Sequence, residues 1–450
     1  MKNKILKKTL AAVTGSLLIL TLLAGCQSAS PEDSSGSLGQ KQSENQAGGE
    51  EPITLTLWHQ WTTEEDGNKI AFDQVLAGFA EANPGIRLEV TGQSSSDYST
   101  KLKVTFAANE APDIVYIQAP GDLAPFAEAG KLLDLSGMIA ADKTADKVLP
   151  GTLDNFTIKD GIYGLPTITS LGLLYCNTEL FQQCGLALPE TWEDLLDCIR
   201  TFNQKEITPI MCAGKDLWPA MDYYDILAIR QAGAVRCREA LSGNASFEEE
   251  PFTEAARKLV QLVEAGAFNE NDLSLGWDEG IAKFSAGGAA MLYNGTWTTA
   301  VVTGEDSAIR DKVAVINFPS LADGDGDPDE FFGGAFEGFC INANCKNPEA
   351  AWQAVNYLCE QMSNVSVMTG NGLPAWNSGG VDTQTLSPFI AQQYTLATTA
   401  SGYCLWWDTA LGGEAADFHK ELVMKLIQGK ITPEEFSGQM QKINTGLDSE

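Results

Sequence analysis

The chain has 450 residues, of which 60 are acidic and 29 are basic, so its formal net charge is −31. This acidic excess argues against nucleic acid and anionic lipid surfaces as partners, because both are bound through Lys and Arg. A hydrophobic content of 44% and a charged content of 20% are typical of a globular protein, and the length predicts two or more lobes. The charge fits a protein that handles neutral or cationic ligands.

The beginning of the chain is typical of an exported lipoprotein. Four lysines precede an apolar stretch that ends in the tetrapeptide Leu-Ala-Gly-Cys at residues 23–26. This ending matches the bacterial lipobox, in which a peptidase cleaves before a lipidated cysteine. We therefore expect residues 1–25 to be a signal peptide, Cys26 to carry acyl chains such as palmitate, and residues 26–52 to be a flexible tether at the outer face of the cell membrane. An ordinary signal peptide and an uncleaved anchor are the alternatives.

Strands and helices are predicted to alternate after the tether. Residues 53–58 alternate apolar residues with threonine, which predicts a strand, and 86–90 and 113–117 are two further apolar runs. Helices are predicted within 64–83 and 97–109, and an Asn-Pro-Gly turn ends the first of them. Strands that alternate with helices predict a mainly parallel sheet.

Candidate ligand contacts follow two of these predicted strands. Gln60, Trp61 and Thr62 come after the first strand, and Gln118 and Asp122 come after the third. Ligands of open α/β sheets bind beyond the carboxyl ends of the strands. We therefore expect these five residues to form the first wall of a binding cleft. The alternative for Trp61 is an ordinary core position.

A series of different short motifs extends along the chain from about residue 53 to residue 445. They are Pro84-Gly85-Ile86, Glu110–Val115, Phe126–Leu135, Gly161–Pro166, Leu173–Phe181, Gly185-Leu186 with Pro189–Leu195, Gly214–Pro219, Gly288–Trp297 and Lys346–Trp352. Each is weak alone, but their common order, together with the lipobox, is specific. In this order they resemble the extracellular solute-binding proteins of carbohydrate-uptake ABC transporters (family 1), the relatives of maltose-binding protein.

The resemblance implies an α/β, two-lobed periplasmic-binding-protein-like fold (type II). Each lobe is expected to hold a mainly parallel sheet flanked by helices, with hinge crossings near Leu165–Ile168 and Phe331–Phe336. The lobes would close around a ligand by a hinge motion. The expected lobes are residues 53–166 plus about 337–386 for the N-terminal lobe, and residues 167–336 plus about 387–450 for the C-terminal lobe.

The resemblance also implies where aromatic side chains stack against a sugar. The family carries an aromatic platform at the position of Trp297, which follows a predicted strand, and an aromatic pair near Trp406 and Trp407. One member of that pair is open to the alternative of burial. Trp376 is a further candidate for a ligand contact, with a core position as its alternative.

Residues 214–219 combine a donor, an acceptor and an aromatic ring. Lys215, Asp216 and Trp218 follow another predicted strand and precede a predicted helix, which favours a ligand contact over the alternative of an exposed turn. Cys176 departs from the family, which commonly has a tyrosine there. Since a thiol cannot stack on a sugar, Trp218 is expected to replace that platform.

Two other tryptophans are interpreted as packing residues. Thr191 is predicted to be the N-cap of a helix with Asp194 at its third position, which places Trp192 in the first turn. A helix predicted to open at 347–349 gives Trp352 the same role.

Metal and cofactor sites are not expected. Nine cysteines remain besides Cys26, without any Cys-x-x-Cys pair, and most stand in apolar runs that predict buried free thiols. Cys340 and Cys345 are the pair to inspect for a disulfide. The acidic loop 321–330 lacks the closing Glu of a calcium loop, so a solvated loop is expected and Ca²⁺ is the minor alternative.

The combined expectation is a binding protein and not an enzyme. It captures a sugar, with ten tryptophans favouring an oligosaccharide, and delivers it to ABC transporter permease subunits as a monomer. A peptide-binding or polyamine-binding protein, a sensory partner of a membrane kinase, and a secreted glycoside hydrolase are the alternatives.

Overall fold

The computed structural model describes residues 52–446, except residues 65, 94, 150, 370 and 378–383. Glu50–Glu450 form one compact unit. The predicted signal peptide, Cys26 and nearly all of the tether lie outside the described residues. Among the helices that the structure describes, none is both long enough and apolar enough to cross a membrane.

The described elements alternate between strands and helices along most of the chain. The strands are β1 Ile53–His59, β2 Ile86–Gly92, β3 Ile114–Gln118, β4 Thr157–Ile158, β5 Gly161–Ile162, β6 Leu165–Asn177, β7 Ile210–Met211, β8 Met291–Gly295, β9 Val313–Ile316, β10 Glu330–Ile341, β11 Leu373–Pro374 and β12 Gly402–Cys404. The helices are α1 Gly67–Ala82, α2 Ser95–Ala108, α3 Leu123–Glu128, α4 Ser136–Asp142, α5 Thr178–Cys184, α6 Trp192–Gln204, α7 Trp218–Ala232, α8 Ala234–Leu241, α9 Glu250–Glu264, α10 Trp277–Ser285, α11 Thr299–Thr303, α12 Pro348–Thr369, α13 Pro388–Thr399, α14 Trp407–Leu411, α15 Gly413–Ile427, α16 Pro433–Met440 and α17 Lys442–Thr445. Short 3₁₀ turns lie at Thr144–Asp146, Asp154–Phe156, Gly214–Asp216, Asp272–Ser274 and Thr296–Thr298.

The first strands follow the predicted alternation. In β1 the side chains of Leu55 and Leu57 are buried while those of Thr54 and Thr56 are exposed, because successive side chains of a strand point to opposite faces. β1 pairs in parallel with both β2 and β3. Their carboxyl ends therefore meet at one edge of the sheet, which is where the candidate contacts after β1 and β3 begin.

Two long strands cross the middle of the main sheet. The strand order is β2-β1-β3-β10-β6-β8-β7. β10 runs antiparallel to β3 and to β6, and β6 runs antiparallel to β8 and β9. Parallel pairing returns at the far end, between β7 and β8. The sheet is therefore parallel towards its ends and mostly antiparallel at the two crossing strands, where, of the described strands, only β12 pairs in parallel, with β10.

The buried side chains form two large core clusters. One is built on β1, β3, α1 and α12, and the other on α6, α7, α9 and α15. Both crossing strands contribute to both clusters: Leu165 and Phe339 belong to the first, and Leu174 and Phe332 belong to the second. β6 and β10 thus connect two bodies of core.

The predicted helix start at Thr191 is confirmed as a capping box. The Thr191 side chain accepts a hydrogen bond from the backbone N–H of Asp194, and the Asp194 carboxylate accepts one from the backbone N–H of Thr191. Both orphan donors at the start of α6 are thereby satisfied. Trp192 is buried in the second cluster and Trp352 in the first, so both have the packing role that the sequence indicates.

The nine described cysteines are free thiols. Burial raises the pKa of most of them, with Cys340 and Cys359 among the fully enclosed ones, so these thiols stay protonated and unreactive. In the acidic loop, Asp323 pairs with Lys258 at 2.8 Å. No group of three or more metal-ligating side chains occurs among the residues that the structure describes.

Candidate functional site

Four tryptophan rings form a continuous row, which we call the tryptophan row. Trp277 lies 4.9 Å from Trp218 between ring centroids, Trp218 lies 6.1 Å from Trp297, and Trp297 lies 5.0 Å from Trp406. The first three rings are half-buried, while Trp406 is 3% exposed and closes the row against Phe336. The row thus presents a partly open aromatic surface, the kind that stacks against apolar sugar faces.

The row is positioned by the starts of helices. Trp218 is the first residue of α7, Trp277 is the first residue of α10, and Trp406 directly precedes α14. Trp297 lies in the 3₁₀ turn that follows β8 and leads into α11. Each ring therefore stands where a helix begins, and the helices themselves are anchored in the cores.

Sequence reasoning missed Trp277. It follows Gly276 in a segment without a clear strand before it, so the rule of strand ends did not select it. It is the first residue of a helix, as Trp218 is, but so is the buried Trp192, so this position alone is no signal of an open ring. The structure places it in the row with Trp218, Trp297 and Trp406.

Lys215 and Asp216 lie beside the row with different roles. A carboxylate oxygen of Asp216 accepts a hydrogen bond from the backbone N–H of Trp277 at 2.6 Å, which fixes the start of α10 against the turn that carries Trp218. The backbone N–H of Lys215 donates to the carbonyl of Leu275 at 3.1 Å, and its side chain is exposed. Asp216 is thus a residue that positions the row.

The predicted wall at the ends of β1 and β3 is partly assembled. Gln60, Gln118 and Asp122 line one cavity of about 50 Å³, next to Tyr98 and Tyr116. The Gln60 amide donates to the Tyr116 hydroxyl at 3.3 Å. The structure therefore brings three of the five predicted wall residues together.

Burial dominates the electrostatics of Asp122. It raises the pKa of this carboxyl, and the nearby Lys103 acts in the opposite direction. Asp122 accepts a hydrogen bond from the Ser99 hydroxyl at 3.2 Å. A carboxyl so placed can accept further hydrogen bonds from a ligand hydroxyl.

The rings of Trp61, Trp376 and Trp407 lie in the cores and not at the surface of a cleft. Trp61 is 3% exposed and packs against Phe72 and Tyr116. The Trp376 indole N–H donates to the carbonyl of Pro166 at 2.7 Å, with the ring 2% exposed. These placements differ from the predicted ligand contacts, because each ring is enclosed by neighbours that were distant in sequence.

Neither Trp407 nor Thr62 lies in the tryptophan row or lines the cavity. Trp407 is fully buried and stacks on His419 with centroids 5.3 Å apart, so the aromatic pair divides into a row member, Trp406, and a core residue. The Thr62 side chain is exposed and does not line the cavity with Gln60.

Two carboxyl groups that the sequence reasoning passed over lie near these features. Glu337 on β10 accepts a hydrogen bond from the Tyr116 hydroxyl at 2.5 Å, and burial raises its pKa to about 7. Asp66 caps α1, and burial likewise raises the pKa of its carboxyl, with Asp278 adding to the effect. Glu337 stands in an apolar strand and Asp66 in an acidic loop, so neither carried a sequence signal of binding.

The sequence of this chain matches a known protein family. The chain matches the description "Bacterial extracellular solute-binding protein" over residues 65–361. It belongs to that family. The family consists of solute-binding transport components, so this solute-binding protein is not an enzyme, as the sequence resemblance implied.

Solved structures of this family share the two-lobed fold. A chain from work on xylan utilization by the thermophilic bacterium Caldanaerobius polysaccharolyticus superimposes with a TM-score of 0.83 and is 39% identical, covering 87% of this chain and 99% of that one. A chitin oligosaccharide binding protein superimposes with a TM-score of 0.79 at 26% identity, covering 89% and 100%. The predicted two-lobed α/β fold is confirmed.

The sequence of a curated relative aligns with this chain over a shorter length. An uncharacterized ABC transporter extracellular-binding protein of Pyrococcus horikoshii is 25% identical over 296 residues, which are 64% of this chain. The match spans 66% of that relative's length.

Proposed function

We propose that this solute-binding protein captures an oligosaccharide between its two lobes and delivers it to the permease subunits of an ABC importer. The tryptophan row is the observation that carries the proposal. Its three half-buried indole rings, those of Trp218, Trp277 and Trp297, offer more stacking surface than a single sugar ring covers. An amino acid or an inorganic ion would leave most of that surface without a partner.

Polar groups of the predicted wall would orient the sugar. Gln60, Gln118 and Asp122 line a small cavity at the ends of β1 and β3, and their amide and carboxyl groups suit sugar hydroxyls. A buried polar group left unpaired costs about 1–3 kcal/mol, so these contacts would give selectivity more than affinity. The proposed lobes are residues 53–166 with 337–386 and residues 167–336 with 387–450.

Xylan-derived oligosaccharides are the first candidates for the ligand. The solved relative at 39% identity comes from work on xylan utilization, and the next one binds chitin oligosaccharides. Xylan and chitin are both β-linked polymers with extended chains. Such chains match a row of rings that extends through three successive contacts.

The start of the chain supports a place at the membrane. We propose that residues 1–25 are a signal peptide and that lipid on Cys26 anchors the protein outside the cell, as a monomer on the tether 26–52. A tethered binding protein can reach a permease in the same membrane while its lobes close on ligand. The acidic surface gives no reason to expect nucleic acid as a partner.

A cationic ligand is the second candidate. Asp216 contacts the backbone of Trp277, and burial raises the pKa of Asp66 with Asp278 nearby, so carboxyl groups gather beside the aromatic row. Carboxylates and aromatic faces together also bind organic cations such as a polyamine or the amine of a peptide.

A thermal-shift panel separates these candidates. The compact unit Glu50–Glu450 is heated with xylo-oligosaccharides, chitin oligosaccharides, amino acids, peptides and polyamines. A ligand at a hundredfold excess over its dissociation constant stabilises the folded state by about 2.7 kcal/mol. We expect a shift with one glycan series and no hydrolysis of that glycan. A shift with polyamines or peptides alone would contradict the proposal.

A further inference from the structure

Glu337 occupies an unusual position on the crossing strand β10. Its side chain is 4% exposed, although it carries a carboxyl group. One carboxyl oxygen accepts the hydrogen bond from the Tyr116 hydroxyl at 2.5 Å. The other oxygen is buried without a hydrogen-bond partner among the described residues. Buried polar atoms are rarely left unpaired, so this oxygen needs an explanation.

The surrounding contacts hold the carboxyl group in one orientation. The Gln60 amide donates to the Tyr116 hydroxyl, which donates in turn to Glu337. The register between β10 and β6 shifts on both sides of Glu337, between Gly334 and Glu337 and again before Gly338. Such irregularities re-aim side chains and are common beside functional sites. The chain of hydrogen bonds starts in the cavity that Gln60 lines.

Glu337 also lies between the tryptophan row and the polar wall formed by Gln60, Gln118 and Asp122. It stands opposite Gln118 in the register of β10 and β3, so it is adjacent to the polar wall. The preceding residue, Phe336, packs against Trp297 and Trp406 with centroids 6.4 and 5.1 Å away. One residue step on β10 therefore connects the tryptophan row to the polar wall.

We propose that Glu337 is a ligand-binding residue at the base of the cleft, and that its unpaired carboxylate oxygen accepts a hydrogen bond from a hydroxyl group of the bound oligosaccharide. The inference rests on the proposed function and adds to it a specific contact. A sugar hydroxyl supplies the donor that no described side chain supplies. The Tyr116 hydroxyl then keeps the other carboxylate oxygen occupied, so the carboxylate faces the ligand with one oxygen.

Protonation of Glu337 makes the contact measurable. Burial raises the pKa of this carboxyl to about 7 in the free protein, the Tyr116 hydrogen bond lowers it, and Asp66 raises it. Tyr116 faces Glu337 from β3 and Asp66 faces it from the start of α1, while β6 presents Ile168. A hydroxyl that donates to the ionised form lowers the pKa again, so binding near neutral pH must release a proton.

Calorimetry in buffers of different ionisation heat counts that proton. The compact unit Glu50–Glu450 is titrated with xylotriose, or with the glycan that gives the largest thermal shift. We expect release of about half a proton per ligand at pH 7 and nearly one at pH 6, with affinity falling up to about tenfold per pH unit below that. Glycan binding without proton release in this wild-type protein would overturn the inference and leave the proposed function intact. Absence of binding by every glycan would reject both.

Variants assign the proton to Glu337. Glu337→Gln should bind more weakly and lose the proton release, whereas Glu330→Gln, on the same strand, should keep both. Tyr116→Phe removes the hydrogen-bond donor to Glu337, which raises the pKa of that carboxyl. The pH range in which ligand binding releases a proton should therefore move upward. Proton release that persists in Glu337→Gln would assign it to another group, Asp66 first, and overturn the inference. If Glu337→Gln does not fold, an unmoved release profile in Tyr116→Phe overturns it in the same way.

Discussion

Trp218, Trp277 and Trp297 each stand at the beginning of a helical segment, where a side chain projects past the end of the helix. The helix body packs into a core, while its first residue remains at the edge of that core. This explains how rings so large stay half-buried. Trp192 and Trp407 also begin helices and yet are buried, so the packing around each helix start decides whether its ring stays open.

The outermost ring of the row should matter most for longer ligands. Trp277→Ala removes the ring at the end opposite Trp406, so xylotriose should bind about thirtyfold more weakly, the cost of losing an aromatic contact worth about 2 kcal/mol. Xylobiose should lose less, because it can remain on the rings of Trp218 and Trp297. Isothermal titration of both sugars checks this. An equal loss for the two sugars would contradict an extended row.

A buried acid makes a separate prediction about stability. Asp222 is fully buried, and burial, with Asp225 and Asp408 nearby, raises the pKa of its carboxyl well above the usual value, although the Trp406 indole acts in the opposite direction. In the unfolded chain this carboxyl ionises above about pH 4. In the folded chain it stays protonated, so the free energy of unfolding falls as the pH rises above the pKa of the unfolded chain. Asp222→Asn removes that loss.

The melting temperature of Asp222→Asn should therefore exceed that of the wild type at pH 7.5 and match it at pH 4. Differential scanning calorimetry at the two pH values measures the difference. The exposed Asp146→Asn serves as the control and should show no change at either pH. A difference for Asp222→Asn that is the same at both pH values would argue against a protonated buried carboxyl.

At the scale of elements, local patterns predicted β1, β2 and β3 and the helix start at Thr191. Alternation and capping depend on neighbours in sequence, so they can be read from the sequence alone. The crossing strand β10 contained Glu337 without any sign of its role. That role depends on Tyr116, which is 221 positions away in sequence, and contacts over such distances carry no local pattern.

The difference between local patterns and contacts distant in sequence also applies to the candidate ligand contacts. The rule of strand ends selected Gln60, Gln118 and Asp122, which line one cavity, and their contact with a ligand stays a prediction. It could not distinguish Trp406, at the row, from its neighbour Trp407 in the core. Adjacent residues at a helix start point in different directions, and only the packing of α14 against α15 decides which of them is enclosed.

The capping box of α6 offers a test at this scale. Thr191→Ala removes the side-chain acceptor for the Asp194 N–H, and loss of an N-cap costs about 1 kcal/mol. The urea midpoint should fall without a change in slope. Thr100→Ala, an exposed threonine inside α2, is the control and should be neutral or slightly stabilising. Equal midpoints for the two variants would contradict a capping role.

At the scale of the whole molecule, the two core clusters and the crossing strands β6 and β10 give the two-lobed design that the motif order implied. Length supplied only the expectation of two or more lobes. The ordered motifs supplied the family, because many weak patterns in a fixed order are specific when no single one is. The assignment of residues to lobes stays a prediction.

The proposed membrane anchor is tested on the full chain in cells. Cys26→Ser removes the thiol to which lipid would attach, so the protein should leave the membrane fraction and lose labelling by radioactive palmitate. Cys184→Ser, which changes a half-buried free thiol, should remain in the membrane fraction. Retention of Cys26→Ser at the membrane would contradict a lipid anchor.

The central claim is that the tryptophan row holds an oligosaccharide, and isothermal titration of the compact unit Glu50–Glu450 tests it most directly. We expect wild-type protein to bind one xylo-oligosaccharide or chitin oligosaccharide per chain. Trp297→Ala should weaken that binding about thirtyfold or more, while Trp58→Ala, in β1 and outside the row, should bind as the wild type does. Unchanged affinity in Trp297→Ala, or binding of polyamines with none of any glycan, would contradict the claim.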